Sequence, residues 1–348
     1  METQREQNFA VNQVVILVVQ QIASKLSGLN LSYLSLRDSF FFKSILVLML
    51  LAANGSCIKK SEILYNSFKG EKYHLDLING KNVSFALLKN PIPINDLTEL
   101  ILKVDSAYDY AKILTGFEPR AKSDFLIDKL IYAQVSNTCG VGCGYLGMKG
   151  IEIEKEYFNN ALPNFFEDKK IDHLFFYEMG RNFFPYSNKL EVRINKETHI
   201  ISTGIAIYIQ CKLANKFNDR ISKVNSTPFK YYYRSLVNLE DSVRGANKIF
   251  IKDALLYNQN IDQLNNWSVS DVIASILIKM EQGKNRGNFL VDFYTACRNF
   301  KDSSSIENSL DNFVLACSLA TKTNQKDYFL EIGWPISPNA IDQLNKTF

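Results

Sequence analysis

Residues 173–184 read His-Leu-Phe-Phe-Tyr-Glu-Met-Gly-Arg-Asn-Phe-Phe, and at this stretch the chain changes from strand-like to helical patterns. Its apolar residues recur at helical spacing, which predicts one helix over the whole stretch. Glu178 and Arg181 lie three positions apart on that helix, so their side chains are neighbours. His173 precedes Tyr177 by one turn and shares its face.

The sequence before this helix carries the signals of a small sheet. Asn79-Gly80 separates two apolar runs, residues 73–78 and 83–88, which predicts a β-hairpin. Three further elements are expected before residue 173: a helix over 95–115, a buried strand over 125–135, and an edge strand over Ile151–Glu154.

The sequence after residue 184 has helical periodicity almost to its end. Helices are expected over residues 198–217, 231–243, 269–280, 289–300 and 306–321. The fold class is therefore α+β, with a small N-terminal sheet followed by a mostly helical half.

The composition is that of a globular protein. The chain has 348 residues, of which 46% are hydrophobic and 22% charged, so it can bury a sizeable core. Its net charge is only +4, without the clustered basic footprint of a nucleic-acid binder. Residues 229–234 interleave Lys230 and Arg234 with aromatic residues, and we interpret them as an amphipathic helix rather than a nucleic-acid platform. Nucleic acid is not an expected partner.

A secretory signal precedes Cys57. Lys43 is followed by an apolar run over residues 45–53 and then by Asn54-Gly55-Ser56-Cys57, the order of charge, apolar core and small residues that a signal requires. The run is shorter than the about 20 residues that span a bilayer. The small residues before Cys57 resemble the lipobox of bacterial lipoproteins, although Asn54 stands where an aliphatic residue is usual. This resemblance implies cleavage before Cys57 and lipid attachment to it; the alternative is a buried hydrophobic helix.

The leader before this signal is unusually long. Met1 lies far upstream of Lys43, and the apolar residues 14–19 form a second membrane-seeking segment. The simplest interpretation is that translation of the functional protein starts downstream of Met1.

The helix over residues 173–184 resembles the active-site helix of zincin-like metallopeptidases, whose His-Glu-x-x-His motif is often followed by Asn-Phe. In that motif two histidines one turn apart bind zinc, and the glutamate activates the metal-bound water. Glu178 and the Gly-x-Asn-Phe at residues 180–183 match the pattern, whereas Tyr177 and Arg181 occupy the histidine positions. The resemblance implies a cleft lined by His173, Tyr177, Glu178 and Arg181.

Other segments occur in the same order as in bacterial zincin-like lipoproteins. A helix ending in Thr115-Gly116-x-x-Pro119 and a strand with its glycine loop precede the motif, and Gly-Trp-Pro at residues 333–335 closes the chain's helical half. The resemblance runs from about Leu97 to the end and implies a zincin-like fold.

Arg181 argues against a metal in this cleft. A guanidinium stays protonated and cannot be a ligand, and its charge repels a cation. It is expected to pair with Glu178, either inside the cleft in the metal's place or as an ordinary surface pair. His173, His199 and Glu197 remain as weak candidate ligands. No cofactor is expected, with zinc as the alternative.

Cys139 and Cys143 flank the glycines of the loop after the buried strand. In an exported protein they favour a disulfide or free thiols, and a zinc half-site is the alternative. The loop is expected beside the cleft, because its glycines allow close backbone approach. Cys211, Cys297 and Cys317 stand singly on apolar helical faces and are expected to be buried.

These patterns predict four regions: a leader and lipoprotein-type signal (1–56), a tether and hairpin (57–93), a zincin-like α+β region (94–225) and a helical C-terminal region (226–348). The function expected is that of a lipid-anchored lipoprotein of the bacterial cell envelope, whose non-catalytic domain binds a peptide or glycan. The alternatives are a metal-dependent hydrolase that uses Glu178 with an unusual ligand set, and a structural envelope protein with a closed cleft. The sequence does not indicate an oligomeric state.

Overall fold

The computed structural model describes residues 60–89, 94–122, 128–191, 199–217, 229–239, 252, 255–256, 267–283 and 288–348. The chain divides into two compact units, Met1–Cys57 and Ile58–Phe348. The first unit lies outside the described residues, and the predicted signal and lipid-attachment site lie in it. Within the described part, no helix is long and apolar enough to cross a membrane.

Six strands form one mixed sheet in the order β1-β2-β3-β4-β6-β5. The strands are β1 (Lys60–Asn66), β2 (Lys72–Asn79), β3 (Val83–Leu87), β4 (Leu130–Val135), β5 (Gly142–Gly144) and β6 (Ile151–Glu154). The first three are antiparallel, β3, β4 and β6 run parallel, and β5 pairs antiparallel to β6 at one edge. This small sheet, followed by helices, confirms the α+β prediction.

The turn between β2 and β3 is stabilised by the carboxylate of Asp105, which lies on the following helix. Asp105 accepts hydrogen bonds from the backbone N–H groups of Lys81 (2.7 Å), Asn82 (2.7 Å) and Val83 (2.8 Å). A side chain at Gly80 would collide with Asp105. The Asn-Gly signal located the turn correctly, and the glycine is required there because the following helix approaches it so closely.

The sheet curls strongly. The Tyr65 hydroxyl on β1 donates to Oε1 of Glu152 on β6 at 3.1 Å. In a flat sheet these strands would be about 19 Å apart, at about 4.8 Å for each neighbouring pair. The hairpin of β1 and β2 therefore folds back over the face of the sheet that carries Ile131 and Val135. A small apolar core lies between this hairpin and that face.

The helices enclose the main core on the other face of the sheet. They are α1 (Ile94–Thr115), α2 (Lys155–Asp168), α3 (His173–Asn182), α4 (Ser187–Leu190), α5 (Ile200–Lys216), α6 (Phe229–Val237), α7 (Val269–Gln282), α8 (Phe289–Asn299), α9 (Ile306–Thr321), α10 (Lys326–Glu331) and α11 (Pro338–Thr347). One hydrophobic cluster runs from β2 to α11, so this core crosses the region boundaries expected at 93–94 and 225–226.

Two sequence predictions of local structure are wrong, and one helix was not predicted. Ile151–Glu154 is an interior strand, and the edge strand is β5, which was expected to be part of a loop. Lys60, Ser61 and Glu62 begin β1 instead of a tether. The helix α2, which follows β6 directly, was not predicted; its interior Pro163 interrupts the helical pattern.

Candidate functional site

Helix α3 carries the motif and is held at both ends. Asp172 caps its N-terminus by accepting from the Leu174 N–H at 2.9 Å. Further along, a side chain at Gly180 would lie 2.8 Å from the carbonyl oxygen of Ala206 on α5. The glycine of the motif is therefore required for the close crossing of α3 and α5.

Glu178 lies between α3 and the edge strand β5. Its side chain is 3% exposed, and its Oε2 accepts a hydrogen bond from the Gly144 N–H at 2.7 Å. Added Cβ atoms at Gly142 and Gly144 would lie 3.0 Å from Glu178 Oε1 and 2.5 Å from its carbonyl oxygen, respectively. The two glycines thus let the strand backbone close over the carboxylate.

Burial has the largest effect on the pKa of the Glu178 carboxyl group. It raises the pKa of Glu178 from 4.5 to about 7, against the opposing effects of the Arg181 charge and the Gly144 N–H. Glu178 is therefore partly protonated near neutral pH.

Arg181 reaches the other side of this site. Its Nε lies 3.9 Å from Glu178 Oε2, and its Nη1 donates to the Tyr177 hydroxyl at 3.4 Å and to Thr203 Oγ1 at 3.3 Å. The Arg181 side chain is only 16% exposed, so the pair with Glu178 is not a surface pair. Burial raises the pKa of Tyr177, which keeps its hydroxyl neutral.

Thr203 is a site residue that the sequence did not reveal. It lies on α5, a turn after the helix begins, and it meets Arg181 only because α3 and α5 cross at Gly180. No local pattern marks it, since its role depends on that crossing.

Each of the two histidines proposed as ligands lies beside a carboxylate outside this cluster. His173 Nδ1 lies 3.4 Å from Asp172 Oδ1, and burial lowers the pKa of His173. His199, at φ 77°, lies 3.2 Å from Glu191 Oε2 without hydrogen-bond alignment. Glu197 lies outside the described residues. In the described part of the chain, no three His, Cys, Asp or Glu side chains are placed to hold one metal ion.

The Asn182-Phe183 pair at the end of the motif makes contacts that stabilise the fold. Asn182 Nδ2 donates to the carbonyl oxygens of Tyr145 at 2.8 Å and Gly150 at 3.0 Å. The Phe183 ring packs edge-on against Tyr108, with 5.2 Å between centroids. Asn182 therefore fixes the turn that leads from β5 to β6, and with it the strand that covers Glu178.

Cys139 and Cys143 form a disulfide with 5.6 Å between their Cα atoms. Gly142 and Gly144 face Glu178, so the intervening Cys143 faces the opposite side of the sheet. The loop lies beside the site, as expected, while the disulfide itself stiffens the strand from behind.

Buried Glu152 holds the same loop. Besides Tyr65, it binds the Phe68 N–H at 2.6 Å and the Thr138 hydroxyl at 2.8 Å. Burial raises the pKa of Glu152. The tip of the β1–β2 hairpin is thereby tied to the residues just before Cys139.

In the described part of the chain, Cys211, Cys297 and Cys317 are buried free thiols. Burial raises the pKa of each, so they are poor nucleophiles.

No family model matches this chain, and no curated protein does. A crystal structure of a functionally unknown conserved protein from Bacillus anthracis str. Ames is similar, with a TM-score of 0.51 and 10% identity over 77% of this chain and 50% of that one. A mutant of a functionally unknown conserved protein from the same organism matches with a TM-score of 0.46 and 12% identity, over 91% and 55%. This chain spans about half the length of these proteins. The likeness to the first shows a shared fold alone.

Proposed function

We propose that this chain is an exported lipoprotein of the bacterial cell envelope, anchored through lipid on Cys57, whose zincin-like domain binds a peptide without hydrolysing it. The observation that best supports a domain without catalytic activity is the position of the Arg181 guanidinium. It lies among the Tyr177 hydroxyl, the Thr203 hydroxyl and the Glu178 carboxylate.

A catalytic zinc site uses three protein ligands and a metal-bound water. Tyr177 and Arg181 stand at the two histidine positions of the motif, and Thr203 approaches Arg181 from α5. Because Arg181 binds both hydroxyls and stays protonated, its charge takes the metal's place and disfavours a second cation there.

The edge strand supports a peptide as the ligand. An exposed sheet edge offers backbone groups that pair with an extended chain. In β5 the Gly144 N–H points to Glu178, whose carboxylate takes the position that a peptide carbonyl would occupy. A peptide would therefore displace the Glu178 side chain from the Gly144 N–H.

A structural role is the second candidate, and one observation favours it. Glu178 is 3% exposed, and β5 closes over it. If this closed arrangement is permanent, the domain serves as a rigid spacer and binds no ligand at this site.

The position of the compact unit supports the anchor. It begins at Ile58, directly after Cys57. A lipid on Cys57 would therefore hold the folded unit close to the membrane.

The metal question has a direct test. Elemental analysis of the purified protein should find no stoichiometric zinc. Changing Tyr177→His, Arg181→His and Thr203→Glu together should create a zinc site, because these three positions converge. The matched control is the double variant without Thr203→Glu, which should bind zinc much more weakly.

Two outcomes would contradict this account. Stoichiometric zinc with chelator-sensitive peptidase activity in the unaltered protein would favour the hydrolase. A folded triple variant without zinc would show that the three side chains do not occupy ligand positions.

Ligand binding is tested by hydrogen exchange at Gly142, Cys143 and Gly144. A mixture of casein-derived peptides should slow exchange there, whereas soluble cell-wall glycan fragments should not. Protection by the glycan alone would identify the wrong ligand class. If neither probe changes exchange, the structural role is favoured over binding.

A further inference from the structure

Helix α6 has a fixed inner face. Phe229, Tyr232 and Leu236 are buried, and the Tyr232 hydroxyl donates to Asp271 on α7 at 3.0 Å. The Tyr232 ring also packs against Trp267, with 5.4 Å between centroids. These contacts hold the helix in one orientation, so the geometry of its outer face is defined.

The outer face carries two cations and an exposed ring. Lys230 and Arg234 are exposed and one helical turn apart, and Tyr231 between them is 62% exposed. In the described part of the chain, neither cation pairs with a carboxylate. The acids on α7 nearest to this helix are already engaged: Glu281 with Lys212 at 2.7 Å, and Asp271 with the Ser268 N–H at 2.8 Å.

A cavity of about 530 Å³ lies over this face. Its polar and aromatic lining comes from Lys230, Tyr231, Tyr233, Arg234, Asn238 and Gln282. The volume is in the usual range for small-molecule sites. The lining therefore combines positive charge, aromatic surface and amide groups in one concave site.

We propose that this cavity binds an acidic glycan, a carbohydrate that carries carboxylate, sulfate or phosphate groups. Lys230 and Arg234 bind its anionic groups, Arg234 with the paired donors that suit such groups. A sugar ring packs on the exposed face of Tyr231, and the amide of Gln282 binds its hydroxyls. A concave site favours a sugar ring over the flat surface of a bilayer.

The lining of this cavity shares no residue with the cluster of Tyr177, Glu178 and Arg181, so the proposal stands independently of the peptide-binding function. The probe is a size-defined heparin oligosaccharide, titrated calorimetrically into the full-length protein. Lys230→Gln with Arg234→Gln should weaken binding by about tenfold or more, because each charge-assisted hydrogen bond contributes at least that order. Tyr231→Ala should weaken it by about threefold or more.

The matched control removes two exposed lysines elsewhere, Lys301→Gln with Lys346→Gln, and should bind within about twofold of the unaltered protein. A neutral chitin hexasaccharide should bind at least about tenfold more weakly than heparin. Circular dichroism establishes that each variant is folded.

The proposal fails if the control pair weakens binding as much as the α6 pair, since the attraction would then be diffuse. It also fails if the neutral sugar binds as well as heparin. Binding of phosphatidylglycerol vesicles that is lost in the α6 variant, without heparin binding, would assign the surface to lipid instead.

Discussion

Glu178→Gln should remove a pH dependence from the stability of the protein. The folded chain holds the pKa of Glu178 at about 7, against an ordinary value of 4.5. Below 4.5 both states are protonated, and the contribution of this group to stability is fully present. As the pH rises towards 7, the unfolded chain releases the proton while the folded chain retains it, so stability falls; above about 7 the loss is complete.

The magnitude follows from these two values. Their difference corresponds to about 3 kcal/mol of unfolding free energy, at about 1.4 kcal/mol for each pH unit. Between pH 5 and pH 8 about 2.5 kcal/mol of this is lost. Glutamine is neutral throughout, has nearly the same shape and still accepts the Gly144 N–H, so the variant should gain about 2.5 kcal/mol relative to the unaltered protein over this interval.

Urea unfolding at both pH values, followed by tryptophan fluorescence, measures the difference. The matched control is Glu99→Gln, which removes an exposed glutamate whose pKa is lowered by Lys103 and Lys169. Its stabilising effect is already nearly complete at pH 5, because that pH lies above the ordinary pKa of a glutamate, so this control should show almost no change in relative stability between pH 5 and pH 8. If the stability of Glu178→Gln relative to the unaltered protein is the same at pH 5 and pH 8, the carboxyl group is solvated and the closed site is wrong.

Two further predictions concern the anchor and the disulfide. Cys57→Ser should release the protein from the membrane fraction or leave its signal uncleaved, because each buried CH₂ of a lipid contributes about 0.8 kcal/mol; unaltered protein that is soluble in the cytosol with residues 1–56 intact would refute the anchor. Cys139→Ser with Cys143→Ser should lower the unfolding free energy by at most about 2 kcal/mol, since the closed ring is small. The same change should speed hydrogen exchange in β5, and unchanged exchange there would refute the stiffening role.

Periodicity predicted most of the helical half, because these helices bury one regular face. Helix α9 has the bounds expected, and α7 differs only at its C-terminal end. Periodicity failed to predict structure where the residue type is required by a contact with a distant part of the chain. Gly142 and Gly144 have no side chains to form an alternating pattern, so β5 was missed; its shape is dictated by Glu178, 34 residues further along the chain.

The motif predicted the helix and three of the polar side chains that meet there. Tyr177, Glu178 and Arg181 come together because their spacing on one helix is fixed. His173 and His199 lie beside other carboxylates, 3.4 Å from Asp172 and 3.2 Å from Glu191. Which carboxylate lies beside each histidine depends on the path of the backbone between helices, and the spacing of residues along the sequence does not specify that path.

The bond between Tyr65 and Glu152 also sets an order of folding. It joins residues 87 positions apart, and a contact of such separation forms late because a long loop must close first. A chain that emerges N-terminus first exposes β1 and β2 before β6 exists. Until β4 is made, Leu75 and Leu77 lack the cover of Ile131, Ala133 and Val135, and the open hairpin of β1 and β2 presents an apolar face and a bare strand edge, the features that promote aggregation. We expect the newly made chain to be prone to aggregation until β4 and β6 are complete and the sheet has curled.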